Sequence, residues 1–174
     1  MHALVTGGGG FLGKTIVRQL IERGDQVTVI GRGRYPGVEK LGARCLQIDL
    51  SAPTGLEEAM EGVDTVFHVA AKAGVWGGRE SYWPINVDGT RSMLEASRNA
   101  GVTRFVFTGS PSAVWAGVPI VNGGEADCPY PESHLAVYSE TKAVAERMVL
   151  GANGPGFSTT SLRPQKIWGP GDPH

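Results

Sequence analysis

A doubly wound α/β fold, a parallel sheet with helices on both faces, is what this sequence predicts. Three observations point there. Short apolar runs alternate with stretches of helical periodicity at helix-crossover spacing, and no internal repeat occurs at solenoid periods. An unbroken glycine run, Gly7-Gly8-Gly9-Gly10, joins the first apolar run to the first helical stretch. The unusual residues gather after the first, second, fourth and fifth apolar runs, and in a parallel sheet those segments all open on one edge.

Bulk properties narrow the class. The 174 residues read as one domain, long enough to bury a real core. A net charge of −1, with acids and bases interspersed, gives no attraction to nucleic acid or to a membrane surface. The 26 glycines sit at turns between apolar runs, so the composition is not low complexity. Cys45, in a strand, and Cys128, in a loop, have neither metal nor disulfide spacing and read as free thiols, so no metal site is expected. The run before the glycines is too short for a signal peptide, and no stretch approaches ~20 apolar residues. A cytoplasmic protein without a membrane span is expected.

Ala3-Leu4-Val5 reads as a buried first strand, and Leu12, Ile16, Val17, Leu20 and Ile21 recur at helical spacing after the glycines. That helix stops near Arg23-Gly24. Further strands are expected at 26–30, 43–48, 64–69, 103–108 and 157–162. Helices are expected at 54–60, at 80–100 with an interruption at Pro84, and at 137–150. Residues 76–83 read as an irregular substrate-side loop, and 116–132 as a loop rich in Gly, Pro and Asp. The alternation predicts a Rossmann-like three-layer αβα domain with strand order 3-2-1-4-5-6.

Strand, glycine turn, helix is the context in which such glycines mean a dinucleotide site. They allow a tight turn, close approach of backbone N–H groups to a pyrophosphate, and close packing of helix on strand. The helix N-terminus adds its partial positive charge. Two registers fit: Gly8-x-Gly10-x-x-Gly13, and Gly7-x-x-Gly10-x-x-Gly13 preceded by Thr6. After the second strand, Gly31 stands where an NAD-preferring site carries an acid for the ribose 2′-hydroxyl, and Arg32 and Arg34 follow. A guanidinium suits a 2′-phosphate, so NADP(H) is favoured over NAD(H); solvated loop charges are the alternative reading of these arginines. Asp49, at the third strand's tip, can accept from an adenine amino group or, with Ser51, cap the next turn. The tip His68-Val69-Ala70-Ala71 is small enough for a cofactor sugar to lie close, and His68 reads as structural.

Tyr138 and Lys142 stand four apart on a predicted helix, hence on one face, and Ser110 stands at the tip of the fifth strand. A nearby ammonium eases ionisation of a phenol whose ordinary pKa is about 10. Tyr138 then serves as acid toward a carbonyl or base toward an alcohol, Ser110 donates to the carbonyl oxygen, and Lys142 holds the nicotinamide ribose. Surface packing is the alternative reading of a Tyr–Lys pair alone.

These residues, with Asn86-Val87 and Arg163-Pro164-x-x-Ile167-x-Gly169-Pro170-Gly171-Asp172, resemble the extended short-chain dehydrogenase/reductase superfamily along the whole chain. Ala71-Lys72-Ala73-Gly74-x-Trp76-Gly77 and Ile167-Trp168-Gly169-Pro170-Gly171-Asp172 resemble its 3β-hydroxysteroid dehydrogenase-like branch, nearest to bacterial 2-alkyl-3-oxoalkanoate reductases. The resemblance implies Ser110, Tyr138, Lys142 and, in support, Asn86 as catalytic residues. It implies Gly7, Gly10, Phe11, Leu12, Gly13, Arg32, Asp49, Leu50, Ala70 and Ala71, with Tyr138 and Lys142, as the NADP(H) site. It also implies a small-molecule substrate, a homodimer as one assembly, and residues 1–174 as the NAD(P)-binding domain of a longer chain whose C-terminal substrate domain is missing. Weak turnover is expected of such a piece, since walls that exclude water are absent.

Two stretches depart from the pattern: Gly109 stands where relatives carry Ser or Thr, with Ser112 nearby as a rival to Ser110, and Gln165-Lys166 is more polar than usual. Ketone reduction on a bulky apolar substrate is the leading function. A nucleotide-sugar epimerase or dehydratase and a non-catalytic dinucleotide-binding module are the alternatives. Pro111-Ser112, in place of an acidic pair after the active serine, disfavours a dehydratase.

Overall fold

A computed structural model describes residues 1–74 and 76–172. The strands are β1 (His2–Thr6), β2 (Gln26–Gly31), β3 (Arg44–Gln47), β4 (Thr65–His68), β5 (Arg104–Thr108) and β6 (Ser158–Leu162). The helices are α1 (Phe11–Glu22), α2 (Pro36–Glu39), α3 (Leu56–Ala59), α4 (Arg79–Trp83), α5 (Gly89–Asn99) and α6 (Val137–Gly151). All six strands are parallel in the order β3-β2-β1-β4-β5-β6, as the sequence predicts. Among the described residues no helix is long and apolar enough to cross a membrane. Cys45 and Cys128 are both free and half-buried.

The two-residue alternation of strands divides the core between the sheet's faces. Ala3 and Val5 of β1 pack with Val17 and Leu20 of α1 and with Val27 and Val29. Leu4 turns the other way, into a larger cluster with Ile30, Val66, Phe105, Met93 of α5 and Val149 of α6.

The interruption expected at Pro84 is present, and the helix expected at 54–60 is shorter than expected. The long helix breaks into α4, a π turn over Pro84–Asp88, and α5. Pro84 lacks the N–H and crowds the carbonyl four residues back, so the chain widens rather than continuing. The widened turn buries Asn86 and Val87. The helix expected at 54–60 covers only Leu56–Ala59, because Gly55 adopts a left-handed φ of 79° that ends any run through it. The four-residue α2, with Pro36 at its start, lies in a stretch where no element was expected.

His68 is structural, as expected. It is 1% exposed, with Nδ1 2.9 Å from Thr6 Oγ1 and Nε2 2.9 Å from Thr90 Oγ1. Thr6 Oγ1 accepts from the N–H groups of Val69 and Ala70, so its own proton goes to Nδ1. Thr90 Oγ1 donates to the Asn86 carbonyl oxygen at 2.7 Å, so it accepts from Nε2–H. Burial pushes the imidazole down from 6.5 to about 3, and the Lys142 charge adds to this. Between those values the unfolded chain binds a proton at His68 that the folded chain does not. Stability is therefore expected to fall as pH drops from 6.5 toward 3, by at most about 1.4 kcal/mol per pH unit from this group. Denaturant midpoints measured from neutral to acid pH check it: a His68→Gln variant should show a shallower acid limb, and an identical one would refute the assignment.

Candidate active site

A cleft of about 1050 Å³ runs along the C-terminal ends of the strands. At one end the β1–α1 turn contributes Gly7, Gly10, Phe11, Leu12 and Gly13. Gly7 adopts φ +68°, and Gly10 donates back to its carbonyl oxygen at 3.0 Å, closing the turn. A Cβ at Gly13 would stand 2.2 Å from that same oxygen, and one at Gly7 would stand 3.0 Å from the Ala70 backbone. Helix α1, 12 residues long, begins with no side-chain cap and no acid in its first turn. Its N-terminal charge thus faces the cleft uncompensated, which is the form an anion-binding turn takes.

The remaining expected cofactor residues line the same cleft: Arg32 beyond β2, Asp49 and Leu50 beyond β3, and Ala70 and Ala71 beyond β4. Arg34 is exposed and is not part of the lining. Asp49 Oδ1 accepts from both the Ser51 N–H (2.9 Å) and the Ser51 hydroxyl (2.8 Å), so it caps its own turn. Those bonds hold its carboxyl below the usual range, although burial opposes them.

At the other end stand Ser110, Tyr138 and Lys142. Ser110 leads off a 3₁₀ turn, Pro111–Ala113, and its Oγ lies 2.8 Å from the Ser112 Oγ. Both serines line the cleft, and Ser110 opposes the upward shift of the Tyr138 phenol. Lys142 is 3% exposed; its Nζ donates to the Thr108 carbonyl oxygen at 2.6 Å and lies 4.1 Å from the centre of the Phe107 ring. Burial pushes the Lys142 ammonium down from 10.5 to about 8, while Glu146 pulls it back up.

The phenol departs from expectation. Burial holds Tyr138 above its ordinary value of 10, with Ser110 opposing and Tyr82 reinforcing, instead of Lys142 drawing it down. The Lys142 amine is engaged with Thr108, and removal from water outweighs what its charge would contribute. The protonated phenol therefore dominates at neutral pH.

Asn86 is buried and does not itself line the cleft. Its Oδ1 accepts from the Lys72 N–H (2.7 Å), and its Nδ2 donates to the Lys72 carbonyl (3.0 Å) and to Thr141 Oγ1 (3.0 Å). Thr141 in turn donates to the Tyr138 carbonyl oxygen at 2.8 Å. Asn86 is thus a positioning residue that ties the loop after β4 to the turn of α6 bearing the phenol.

Behind Ser110 lies a buried ionic cage that has no counterpart in the sequence reading. Glu146, one turn past Lys142 and 0% exposed, accepts from Tyr130 (2.6 Å), Ser161 (2.7 Å) and Arg163 Nε (3.0 Å). A Cβ at Gly109 would meet Glu146 Oε2 and Ser161 Oγ at 2.6 Å. Glycine stands at 109 because the cage occupies the space. The clue was an acid continuing the Tyr138, Lys142 face at the next i+4 position. Tyr35 was also missed; it lines the cleft beside the glycine turn.

The sequence model of the 3-beta hydroxysteroid dehydrogenase/isomerase family matches residues 4–174. The chain belongs to this family. Among curated relatives, a 2-alkyl-3-oxoalkanoate reductase of Stenotrophomonas maltophilia is 46% identical over 99% of this chain and 52% of its own length. A 3-beta-hydroxysteroid dehydrogenase of Mycolicibacterium neoaurum is 41% identical over 98% of this chain and 49% of its own. The chain thus spans about half the length of the curated relatives it matches. Among solved structures, the UDP-glucose 4-epimerase of Thermus thermophilus in complex with NAD superposes with a TM-score of 0.86 at 33% identity, covering 100% of this chain and 58% of that one.

Proposed function

We propose that residues 1–174 serve as the NADP(H)-binding domain of an oxidoreductase that interconverts ketone and alcohol on a bulky apolar, 3-oxoalkanoate-like or steroid-like substrate. One observation carries the reading: Ser110, Tyr138 and Lys142 share a single cleft with the uncapped glycine turn. The names of the relatives, a 2-alkyl-3-oxoalkanoate reductase and a 3-beta-hydroxysteroid dehydrogenase, support the substrate class. The NAD in the solved neighbour supports a nicotinamide dinucleotide.

When bound, such a cofactor supplies the hydride. The chain's own residues do the rest. The Gly7–Gly13 turn and the start of α1 receive the pyrophosphate, and Arg32 takes the 2′-phosphate. Tyr138, kept protonated by burial, gives its proton to the carbonyl oxygen as negative charge develops there. Ser110 donates a second hydrogen bond to the same oxygen. Lys142, at about 8, stays mostly charged at neutral pH and holds the nicotinamide ribose.

Fluorescence titration with NADPH and with NADH tests the cofactor assignment. NADPH is expected to bind at least about tenfold tighter, a difference near 1.4 kcal/mol, and Arg32→Ala should remove most of it. Equal affinities would withdraw the role given to Arg32. The likeness to a UDP-glucose 4-epimerase favours nucleotide-sugar epimerisation as a second reading. Parallel assays on 3-oxo acids and on UDP-sugars separate the two.

A further inference from the structure

Gly9 is the one glycine of the opening run that neither motif register uses. The structure gives it a different reason. A Cβ there would lie 2.1 Å from Cδ1 and 2.2 Å from Cε1 of Tyr35, so the aromatic ring rests directly on the Gly9 backbone. The same ring covers the β2 tip: a Cβ at Gly31 would stand 2.5 Å from the Tyr35 hydroxyl oxygen, and one at Gly33 3.4 Å from Cε1. The hydroxyl accepts from the Gly33 N–H at 3.2 Å, which leaves its own proton available to donate. Tyr35 and Arg32 both line the cleft here.

We propose that Tyr35 is a specificity-determining residue of the nucleotide site, its ring filling the volume from which a side chain at the β2 tip would read a free ribose 2′-hydroxyl. This rests on the NADP(H) reading above. An acid at position 31 is what accepts from that hydroxyl in NAD-preferring sites. Here its first carbon would stand 2.5 Å from the Tyr35 hydroxyl oxygen, so an acid at 31 would have to displace the ring from its seat on Gly9. Arg32 and the Tyr35 O–H then present donors, which match the acceptor oxygens of a phosphate better than a bare hydroxyl. Gly9 is glycine to admit the ring.

The test is a set of titrations of the intact chain with NADPH and NADH, with 2′,5′-ADP and 5′-AMP as competing fragments. Tyr35→Phe keeps the packing and removes the donor; it should lower the NADPH:NADH affinity ratio about three- to tenfold. Tyr35→Ala should lower it at least about tenfold. Gly31→Asp alone should weaken both nucleotides, while Gly31→Asp with Tyr35→Ala should bind NADH at least about tenfold tighter than Gly31→Asp alone. If wild type prefers NADPH yet Tyr35→Phe and Tyr35→Ala leave the ratio within about twofold, the proposal fails. It fails equally if Gly31→Asp binds NADH as well as the double variant. A wild type without preference for NADPH overturns the underlying cofactor reading, and this inference with it. Should Tyr35→Ala not fold by circular dichroism, Tyr35→Phe and the Gly31→Asp pair decide the matter.

Discussion

Tyr138→Phe is expected to slow NADPH-dependent ketone reduction by about 10²- to 10⁴-fold, the range general acid catalysis contributes. Nucleotide affinity should fall by at most about tenfold, because the glycine turn and Arg32 carry the phosphates while Tyr138 touches only the nicotinamide end of the site. The ring keeps its edge-on contact with Tyr82, 6.5 Å between centres, so the fold should tolerate the change. Single-turnover NADPH oxidation with ketone in excess, together with the binding titration, gives the two numbers. A variant that reduces substrate at the wild-type rate would remove Tyr138 as the acid. A variant that loses nucleotide binding as well would show that the phenol supports the cleft instead.

Glu146→Ala is expected to destabilise the chain by about 3–5 kcal/mol, the usual effect of breaking a buried ion pair by removing one partner. For a domain of this size that corresponds to a fall in Tm on the order of 10 °C. The reason is local: Arg163, Tyr130 and Ser161 all direct donors at this carboxylate, and each would lose it as an acceptor. The hydrogen bonds and the Arg163 charge hold Glu146 ionised, below its ordinary value, although burial works against them. Glu146→Met combined with Arg163→Met should recover much of the loss, since exchanging both members for apolar groups leaves no orphaned charge. Thermal and denaturant unfolding measure both. A stable single variant would mean that the cage contributes little.

Much of this architecture was legible because it is written in local periodicity. The alternation of Ala3, Leu4 and Val5, the glycine turn before Leu12 and the Tyr138–Lys142 spacing each need only a few neighbouring residues to be read. The features that were missed depend on residues far apart in the chain. Glu146 meets Arg163 at a separation of 17 residues, and no window the size of a helix contains both. The partners of Asn86 were also out of reach, since the widened turn at Pro84 directs it to Lys72 and Thr141. Burial was equally invisible, and it reverses the expected direction for the Tyr138 phenol. Gly109 read as an anomaly until the carboxylate behind it supplied the reason.

The hydrogen bonds from Thr6 through His68, Thr90, Asn86 and Thr141 to the Tyr138 carbonyl run without a gap from the opening strand to the last helix. Each member is neutral, so the line conducts no charge, yet it welds the two halves of the cleft into one mechanical body. The amides of Val69, Ala70 and Lys72, held at intervals along it, should therefore exchange with solvent through a shared opening rather than by separate fraying. A nucleotide that steadies the glycine turn would then also steady the helix that carries the phenol.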